Sequence, residues 1–178
     1  GMKEHLDAAK KDLIVVGIEC NPEGNERLFE YCPFDCQIPG WIAIEGRGKV
    51  YMDWLVGTLK PYIDANYPTN PSREHTIVAG SSMGGLMATY TLAQYNHVFS
   101  RAAALSPSFW VDPEKVDEMI RGGSFGENSQ IYLNYGTEEI KGFEKKVFIL
   151  ENAIKALEDM GAAAYFHWVE GGKHNEAT

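Results

Sequence analysis

The sequence has 178 residues, of which 44% are hydrophobic and 12% aromatic, so it can bury one sizeable core and we expect a single domain over residues 1–178. A formal net charge of −9 and a pI near 5.0 argue against nucleic acid or an anionic membrane as a partner, because both require clustered positive charge. No apolar run approaches the ~20 residues of a membrane span, and no secretory signal pattern is present, so we expect a cytoplasmic protein.

The first third of the sequence predicts one strand and one long helix. Residues 13–18 form an apolar run typical of a strand, and a proline-containing loop is expected over residues 21–40. Residues 50–67 predict a helix that Pro68 ends, with an apolar stripe that faces the core. The members of that stripe are Met52, Leu55, Leu59 and Tyr62.

The remaining residues alternate strands with helices, which predicts a mainly parallel sheet. Strands are expected over residues 76–79, 102–105, 130–135 and 163–169, and a helix over residues 86–95. An amphipathic helix should precede the last strand and end at Gly161. Its apolar stripe consists of Phe143, Val147, Leu150, Ile154 and Leu157.

The pentapeptide between the 76–79 strand and the next helix, Gly80-Ser81-Ser82-Met83-Gly84, has the pattern of a nucleophile elbow. Such a turn exposes a serine hydroxyl beside a base, and glycines two residues before and after the serine leave room for it. Only Ser82 has glycines at both offsets, so it is the candidate nucleophile. The alternative is a purely structural connection between strand and helix.

His174 is the candidate base, because it alone of the five histidines lies in a glycine-rich loop after a strand. Hydrolases of the α/β type place serine, acid and histidine in that chain order, each after a strand. The acid should therefore follow the 130–135 strand, where Glu138 and Glu139 both lie. Spacing does not choose between them, and the alternative is that both cap the following helix.

The three cysteines, Cys20, Cys32 and Cys36, do not predict a metal site. A disulfide or half of a metal site is conceivable for the Cys32–Cys36 pair, but no second ligand pair has the spacing of a zinc site. We expect reduced thiols instead.

Six stretches carry a resemblance to a known family: residues 13–18, Arg27 with Glu30-Tyr31, and residues 80–85, 105–110, 136–139 and 171–175. The chain resembles the α/β-hydrolase family that includes esterase D, enterochelin esterase and feruloyl esterase domains, with mycolyltransferases as more distant relatives. The likeness spans nearly the whole chain. Its most specific parts are the elbow, the Ser-Pro-Ser-Phe-Trp segment and the terminal Gly-Gly-x-His.

The resemblance implies a three-layer α/β-hydrolase-type sandwich and a serine esterase. The family's nucleophile matches Ser82 and its base matches His174. The family's acid lies three residues after the strand-exit glycine, which selects Glu139 over Glu138. The backbone N–H of Met83 would supply one oxyanion contact, and neither a metal nor an organic cofactor is implied.

Three further residues are candidates for binding a small-molecule ester, whose identity no residue selects. Phe109 and Trp110 follow a strand at the same edge of the sheet as the elbow, where parallel sheets bind ligands. The alternative is that both cover the core. Arg27 matches a family position near the site, and its alternative place is in a surface crossover.

The chain departs from the family at its beginning. Complete members start with strands that this chain lacks, one of which runs between the strands that match residues 13–18 and 76–79. In complete members, a loop after one of these strands donates the second oxyanion N–H. Loss of that donor would lower the turnover rate by a factor of about 10²–10³. We expect the two flanking strands either to pair directly or to be completed by a second copy, which predicts a homo-oligomer.

We interpret the sequence as that of a serine carboxylic-ester hydrolase that acts through an acyl-enzyme. Two alternatives stay open. One is a truncated, non-catalytic remnant of the fold that serves in assembly or interaction, and the other is an acyltransferase.

Overall fold

The structure, a computed structural model, describes residues 12–142 and 144–175 together with Glu4 and Ala8. Its main sheet has four parallel strands that lie side by side in chain order: β3 (Ile77–Ser81), β4 (Arg101–Leu105), β5 (Gln130–Gly136) and β6 (Ala163–Val169). An antiparallel hairpin precedes this sheet and consists of β1 (Cys36–Ile38) and β2 (Ile42–Ile44).

Within the described ranges, the helices that precede the main sheet are α1 (Glu26–Glu30), α2 (Gly48–Trp54) and α3 (Lys60–Asn66). The helices that alternate with its strands are α4 (Met83–Gln94), α5 (Pro113–Arg121) and α6 (Glu144–Asp159). A parallel sheet flanked by helices is the α/β-hydrolase-type architecture that the sequence predicts. None of the helices in the described ranges is long and apolar enough to cross a membrane.

The core lies between the sheet and helices α4, α5 and α6. Burial alternates along β5, where Ile131 and Leu133 are fully buried and Tyr132 between them is 39% exposed. Tyr132 shares the opposite face of the sheet with Ile77 and Tyr165, which are 52% and 56% exposed. One face of the sheet is therefore buried under helices, and the other carries exposed apolar side chains.

The strand predicted over residues 13–18 is not present, and this prediction was wrong. Residues 12–20 have no regular secondary structure, and Leu13, Ile14 and Val15 are all 45% exposed or more. An extended segment becomes a strand only by pairing, and within the described ranges β3 pairs with β4 alone. Direct pairing of the 13–18 segment with β3 therefore does not occur.

The predicted loop over residues 21–40 contains regular structure that the sequence analysis missed. It includes helix α1 and the first strand of the hairpin, whose turn places Gly40 at φ +73°. Cys36 and Ile38 are buried and Gln37 between them is exposed. A three-residue strand shows too few alternations to be recognised from sequence.

The first predicted helix is present but is not uniform. Helices α2 and α3 are joined by a π-helical turn over Leu55–Leu59. Pro61 lacks the N–H that would bond to the carbonyl of Gly57, and a widened turn accommodates the missing hydrogen bond. Of the predicted stripe, Met52 is buried as expected, whereas Tyr62 is 58% exposed.

The later elements agree closely with the sequence. Strands β4, β5 and β6 coincide with their predicted ranges to within one residue, and β3 begins one residue later and ends two residues later than predicted. Helix α6 buries Leu150 and Leu157 of the predicted stripe. Phe143 of that stripe lies outside the described residues. Helix α5, capped by Asp112 with Pro113 in its first turn, was not predicted.

Candidate active site

Ser82 occupies the sharp turn between β3 and α4. Its backbone has φ 59° and ψ −117°, a strained conformation that a non-glycine residue keeps only where its surroundings enforce it. A Cβ on Gly80 would lie 2.3 Å from the carbonyl oxygen of Gly84, so the turn requires glycine at residue 80. The same argument does not hold for Gly84, where a Cβ would meet nothing within 4 Å.

His174 and Glu139 meet Ser82 at the carboxyl edge of the sheet. The Nε2 atom of His174 is 3.1 Å from Oγ of Ser82, and its Nδ1 atom is 2.6 Å from Oε2 of Glu139. A hydroxyl, an imidazole and a carboxylate therefore stand in one hydrogen-bonded series. Glu138 instead forms an ion pair with Lys141.

The loops after β5 and β6 are held together by a close approach of two glycines. A Cβ on Gly136 would lie 2.2 Å from the carbonyl oxygen of Gly172, which also accepts a hydrogen bond from the N–H of Glu138. The N–H of Gly171 donates to the hydroxyl of Thr137 at 2.9 Å. This approach places the histidine loop against the loop that carries the acid.

The carboxyl group of Glu139 is buried, with 4% of the side chain exposed, and it is surrounded by donors. Its Oε1 atom accepts hydrogen bonds from Oγ of Ser106 at 2.7 Å and from the N–H of Gly136 at 3.0 Å. Burial alone raises the pKa of this carboxyl group, but the hydrogen bonds from Ser106, His174 and Gly136 outweigh burial and the pKa is lowered. The group is therefore ionised at neutral pH, the form that stabilises an imidazolium.

Ser106 and Ser108 are site residues that the sequence analysis missed. Ser108 is 2% exposed, its Oγ lies 3.2 Å from Oγ of Ser82, and its N–H donates to the Ser82 carbonyl at 3.1 Å. A signal was available, because both serines follow a strand at the edge that carries the elbow. The sequence analysis instead assigned a role in substrate binding to the neighbouring residues Phe109 and Trp110.

Met83 is the first residue of α4. Its N–H belongs to the first turn, where N–H groups have no acceptor within the helix, and it directly follows the turn residue Ser82. The Met83 side chain is 3% exposed, so only its backbone could contact a ligand.

The three candidates for substrate binding occupy different environments. Phe109 is 1% exposed in the main core, which favours the core role over a pocket role. Trp110 is 38% exposed, with Nζ of Lys146 6.0 Å from its ring centroid. Arg27 lies beside the elbow, where its guanidinium donates to the carbonyl oxygen of Ser81 at 3.4 Å.

An open cavity of about 630 Å³ lies along β3 rather than over the hydroxyl of Ser82. One wall comes from the apolar residues 13–18, and another comes from β3 itself. Its lining includes Arg27 but not Ser82, His174 or Glu139. The cavity is thus the space beside the edge of β3 at which the described ranges contain no neighbouring strand.

Cys32 and Cys36 are buried free thiols whose sulfur atoms lie 4.0 Å apart. Burial is the main cause that raises the pKa of Cys32 to about 12, so the thiol stays protonated at neutral pH. Among the residues that the structure describes, no three His, Cys, Asp or Glu side chains are grouped to hold a metal ion.

A family model described as Putative esterase matches residues 2–178, which is nearly the entire chain. The chain belongs to the Putative esterase family. This membership agrees with the family that the sequence motifs indicate.

Two curated relatives and one solved structure resemble the chain. It is 27% identical over 138 residues to the Uncharacterized protein YbbA of Bacillus subtilis (strain 168), which covers 76% of this chain and 52% of that protein. It is 32% identical over 91 residues to the Iron(III) salmochelin esterase of Escherichia coli O6:H1 (strain CFT073), which covers 50% of this chain and 21% of that protein.

The crystal structure of BES protein from Bacillus cereus superposes with a TM-score of 0.68 at 22% identity, over 87% of this chain and 60% of that one. At this identity the likeness shows a shared fold. The chain spans about half the length of YbbA, and it covers 60% of the length of the Bacillus cereus protein.

Proposed function

We propose that this chain is a serine carboxylic-ester hydrolase that acts through an acyl-enzyme. The observation that carries the proposal is the hydrogen-bonded series from Oγ of Ser82 through His174 to Glu139, with contacts of 3.1 and 2.6 Å. Membership of the Putative esterase family and the similarity to a salmochelin esterase support the same class of reaction.

Acylation begins when Oγ of Ser82 bonds to the carbonyl carbon of the ester and Nε2 of His174 takes the hydroxyl proton. The carbonyl electron pair moves onto oxygen, and the N–H of Met83 stabilises the resulting oxyanion. The carboxylate of Glu139 holds the proton on Nδ1 and stabilises the imidazolium. Collapse of the intermediate breaks the bond to the alcohol, which leaves with the proton from Nε2.

Deacylation repeats these steps with water as the nucleophile. His174 takes a proton from water as its oxygen bonds to the acyl carbon, and the bond to Ser82 then breaks. Oγ of Ser82 regains the proton and the carboxylic acid leaves. One ester and one water give one acid and one alcohol, and the steps require neither a metal nor an organic cofactor.

Met83 is the one oxyanion donor that we assign. A site with a single donor is expected to turn over about 10²–10³ more slowly than a site with two, since each donor contributes that much in a serine hydrolase. Activated esters with good leaving groups are therefore the suitable substrates for a first assay.

We treat residues 1–178 as one domain and propose that it forms a homo-oligomer. The main hydrophobic cluster includes residues from Cys32, before the hairpin, to Ala162 beside β6, which supports a single domain. Within the described ranges one edge of β3 lacks a neighbouring strand, and exposed Ile77 and Leu13 lie on either side of the cavity there. An open strand edge flanked by apolar side chains is a template for pairing with a second copy.

The test of the hydrolase proposal is the hydrolysis of p-nitrophenyl acetate by the wild type, Ser82→Ala and His174→Ala. We expect both substitutions to lower kcat/KM to the uncatalysed background, a loss of up to about 10⁶ for a fully active serine hydrolase. Ser124→Ala and His97→Ala are matched controls, because both residues are exposed and neither belongs to the proposed triad. The controls should retain the wild-type rate.

Equal rates in the wild type, Ser82→Ala and His174→Ala would refute the proposal and favour a non-catalytic remnant of the fold. Acyl transfer is distinguished in the same assay by adding methanol. A hydrolase releases the free acid, whereas a transferase yields the methyl ester in preference to the acid.

A further inference from the structure

Ser106 has a strained backbone at the carboxyl end of β4. Its φ is +42°, in the left-handed region that is unfavourable for a non-glycine residue. Its N–H is held by two oxygens of Asn134 on the neighbouring strand, the carbonyl oxygen at 3.0 Å and Oδ1 at 3.2 Å. Glycine would adopt this backbone without strain, but glycine has no hydroxyl group.

The hydroxyl group of Ser106 donates to Oε1 of Glu139 at 2.7 Å, across 33 residues of sequence. The same oxygen accepts the N–H of Gly136 at 3.0 Å, while Oε2 faces Nδ1 of His174. An ionised carboxylate accepts hydrogen bonds and donates none, so these donors suit the charged form. Two donors on Oε1 fix the plane of the carboxylate and turn Oε2 toward the imidazole.

The exposure of the groups indicates why such a support is needed. The His174 side chain is 54% exposed, whereas the Glu139 side chain is 4% exposed. Solvent can compete for the imidazole, so the orientation of the pair must come from its buried member. Each strand of the sheet then supplies one group at its carboxyl end: Ser82 after β3, Ser106 after β4, the acid after β5 and the histidine after β6.

We propose that Ser106 is a positioning residue that holds the carboxylate of Glu139 ionised and aimed at His174. The proposal rests on the proposed hydrolase function for its effect on rate, but the contact itself can be tested without activity. Loss of the Ser106 hydroxyl removes a hydrogen bond from the charged form of Glu139 and therefore raises the pKa of that carboxyl group. The protonated carboxyl group no longer stabilises an imidazolium.

The experiment compares Ser106→Ala and Ser106→Gly with the wild type. Both variants lack the hydroxyl group, and glycine also relieves the left-handed strain. We expect kcat to fall roughly 10- to 100-fold in both variants with KM little changed, because the loss of one hydrogen bond to a charged group has an effect of that size. Where Ser106→Ala fails to fold, Ser106→Gly carries the test, with circular dichroism as the check.

A second pair of variants tests whether Ser106 acts through Glu139. In a Glu139→Gln background, Ser106→Ala should lower kcat by less than twofold, since the carboxylate it orients is gone. A wild-type kcat in Ser106→Gly, or equal effects of Ser106→Ala in both backgrounds, would overturn the proposal.

A readout that needs no substrate separates this proposal from the hydrolase function. The carboxyl ¹³C resonance of Glu139 is titrated by NMR in the wild type and in Ser106→Gly. An upward shift of its midpoint in the variant supports the positioning role even if the wild type hydrolyses no ester. An unchanged midpoint overturns the positioning role even if the wild type is an active esterase.

Discussion

At the scale of single residues, two adjacent carboxylates have opposite surroundings. Glu139 is buried and accepts hydrogen bonds from three groups, whereas Glu138 pairs with Lys141, whose side chain is 71% exposed. A surface ion pair of this kind contributes little free energy, typically about 0–1 kcal/mol. Substituting each glutamate by glutamine therefore separates the proposed acid from an ordinary surface residue.

We expect Glu139→Gln to lower kcat by roughly 10³–10⁴, because the amide neither stabilises the imidazolium nor fixes its tautomer. Glu138→Gln is the matched control and should remain within a factor of two of the wild type. Steady-state kinetics on p-nitrophenyl acetate measures both. A Glu138→Gln variant that loses as much activity as Glu139→Gln would contradict the assignment of the acid.

The candidate site residues that the sequence could indicate are those that belong to local patterns. Ser82 lies between two glycines of one turn, and His174 lies in a glycine-rich loop after a strand. Glu139 could not be chosen over Glu138 by spacing, because only the fold determines which side chain turns inward. Ser106 was missed for the same reason, since its partner lies 33 residues away on another loop.

At the scale of elements, the loops after β5 and β6 depend on the contact between Gly136 and Gly172. A methyl group on Gly136 would overlap the carbonyl oxygen of Gly172, at 2.2 Å, so the loops would have to separate. The histidine and the acid lie on opposite sides of this contact. Their 2.6 Å hydrogen bond is therefore sensitive to a substitution that touches neither side chain.

Gly136→Ala is expected to lower kcat roughly 10²-fold, because displacements of about 1 Å in a catalytic site have effects of that size. It should also reduce the free energy of unfolding by about 1–3 kcal/mol through steric overlap. Gly57→Ala is the control, since a methyl group there would meet nothing within 4 Å. Kinetics and thermal melting that match between Gly136→Ala and the wild type would show that the contact is not required.

Whether the sequence predicted an element correctly depends on whether that element has a neighbouring strand. Strands β4, β5 and β6 have neighbours on the sheet within this chain, so their apolar patterns correspond to real pairing. Residues 13–18 have a similar apolar pattern, but within the part of the chain that the structure describes no strand lies beside them, and they are not a strand. The apolar pattern of a segment indicates that the segment tends to be buried. Whether it forms a strand also depends on a neighbouring strand, which the sequence of the segment alone does not specify.

At the scale of the whole molecule, one edge of β3 has no neighbouring strand among the described residues, and we propose that copies associate there. We expect the wild type at micromolar concentration to have a light-scattering mass of at least two copies of the 19.8 kDa chain. Ile77→Lys places a charge on the edge strand, a substitution that opposes edge pairing, and should reduce the mass to one copy. Val50→Lys, at a position that is 69% exposed on α2, is the control and should leave the mass unchanged.

A monomeric wild type would refute the homo-oligomer. If Ile77→Lys and the wild type had equal masses, both larger than that of one copy, the interface would lie elsewhere than at β3. Circular dichroism establishes that each variant is folded before its mass is compared.

The proposed nucleophile Ser82 and its proposed base His174 are separated by 92 residues of chain. During translation at about 5–20 residues per second, the serine leaves the ribosome roughly 5–20 s before the imidazole that would activate it. A nascent polypeptide would therefore carry an unreactive hydroxyl until the last strand has joined the sheet. Ester cleavage by the proposed triad would thus begin only after β6 and the loop that carries His174 have been synthesised and have folded.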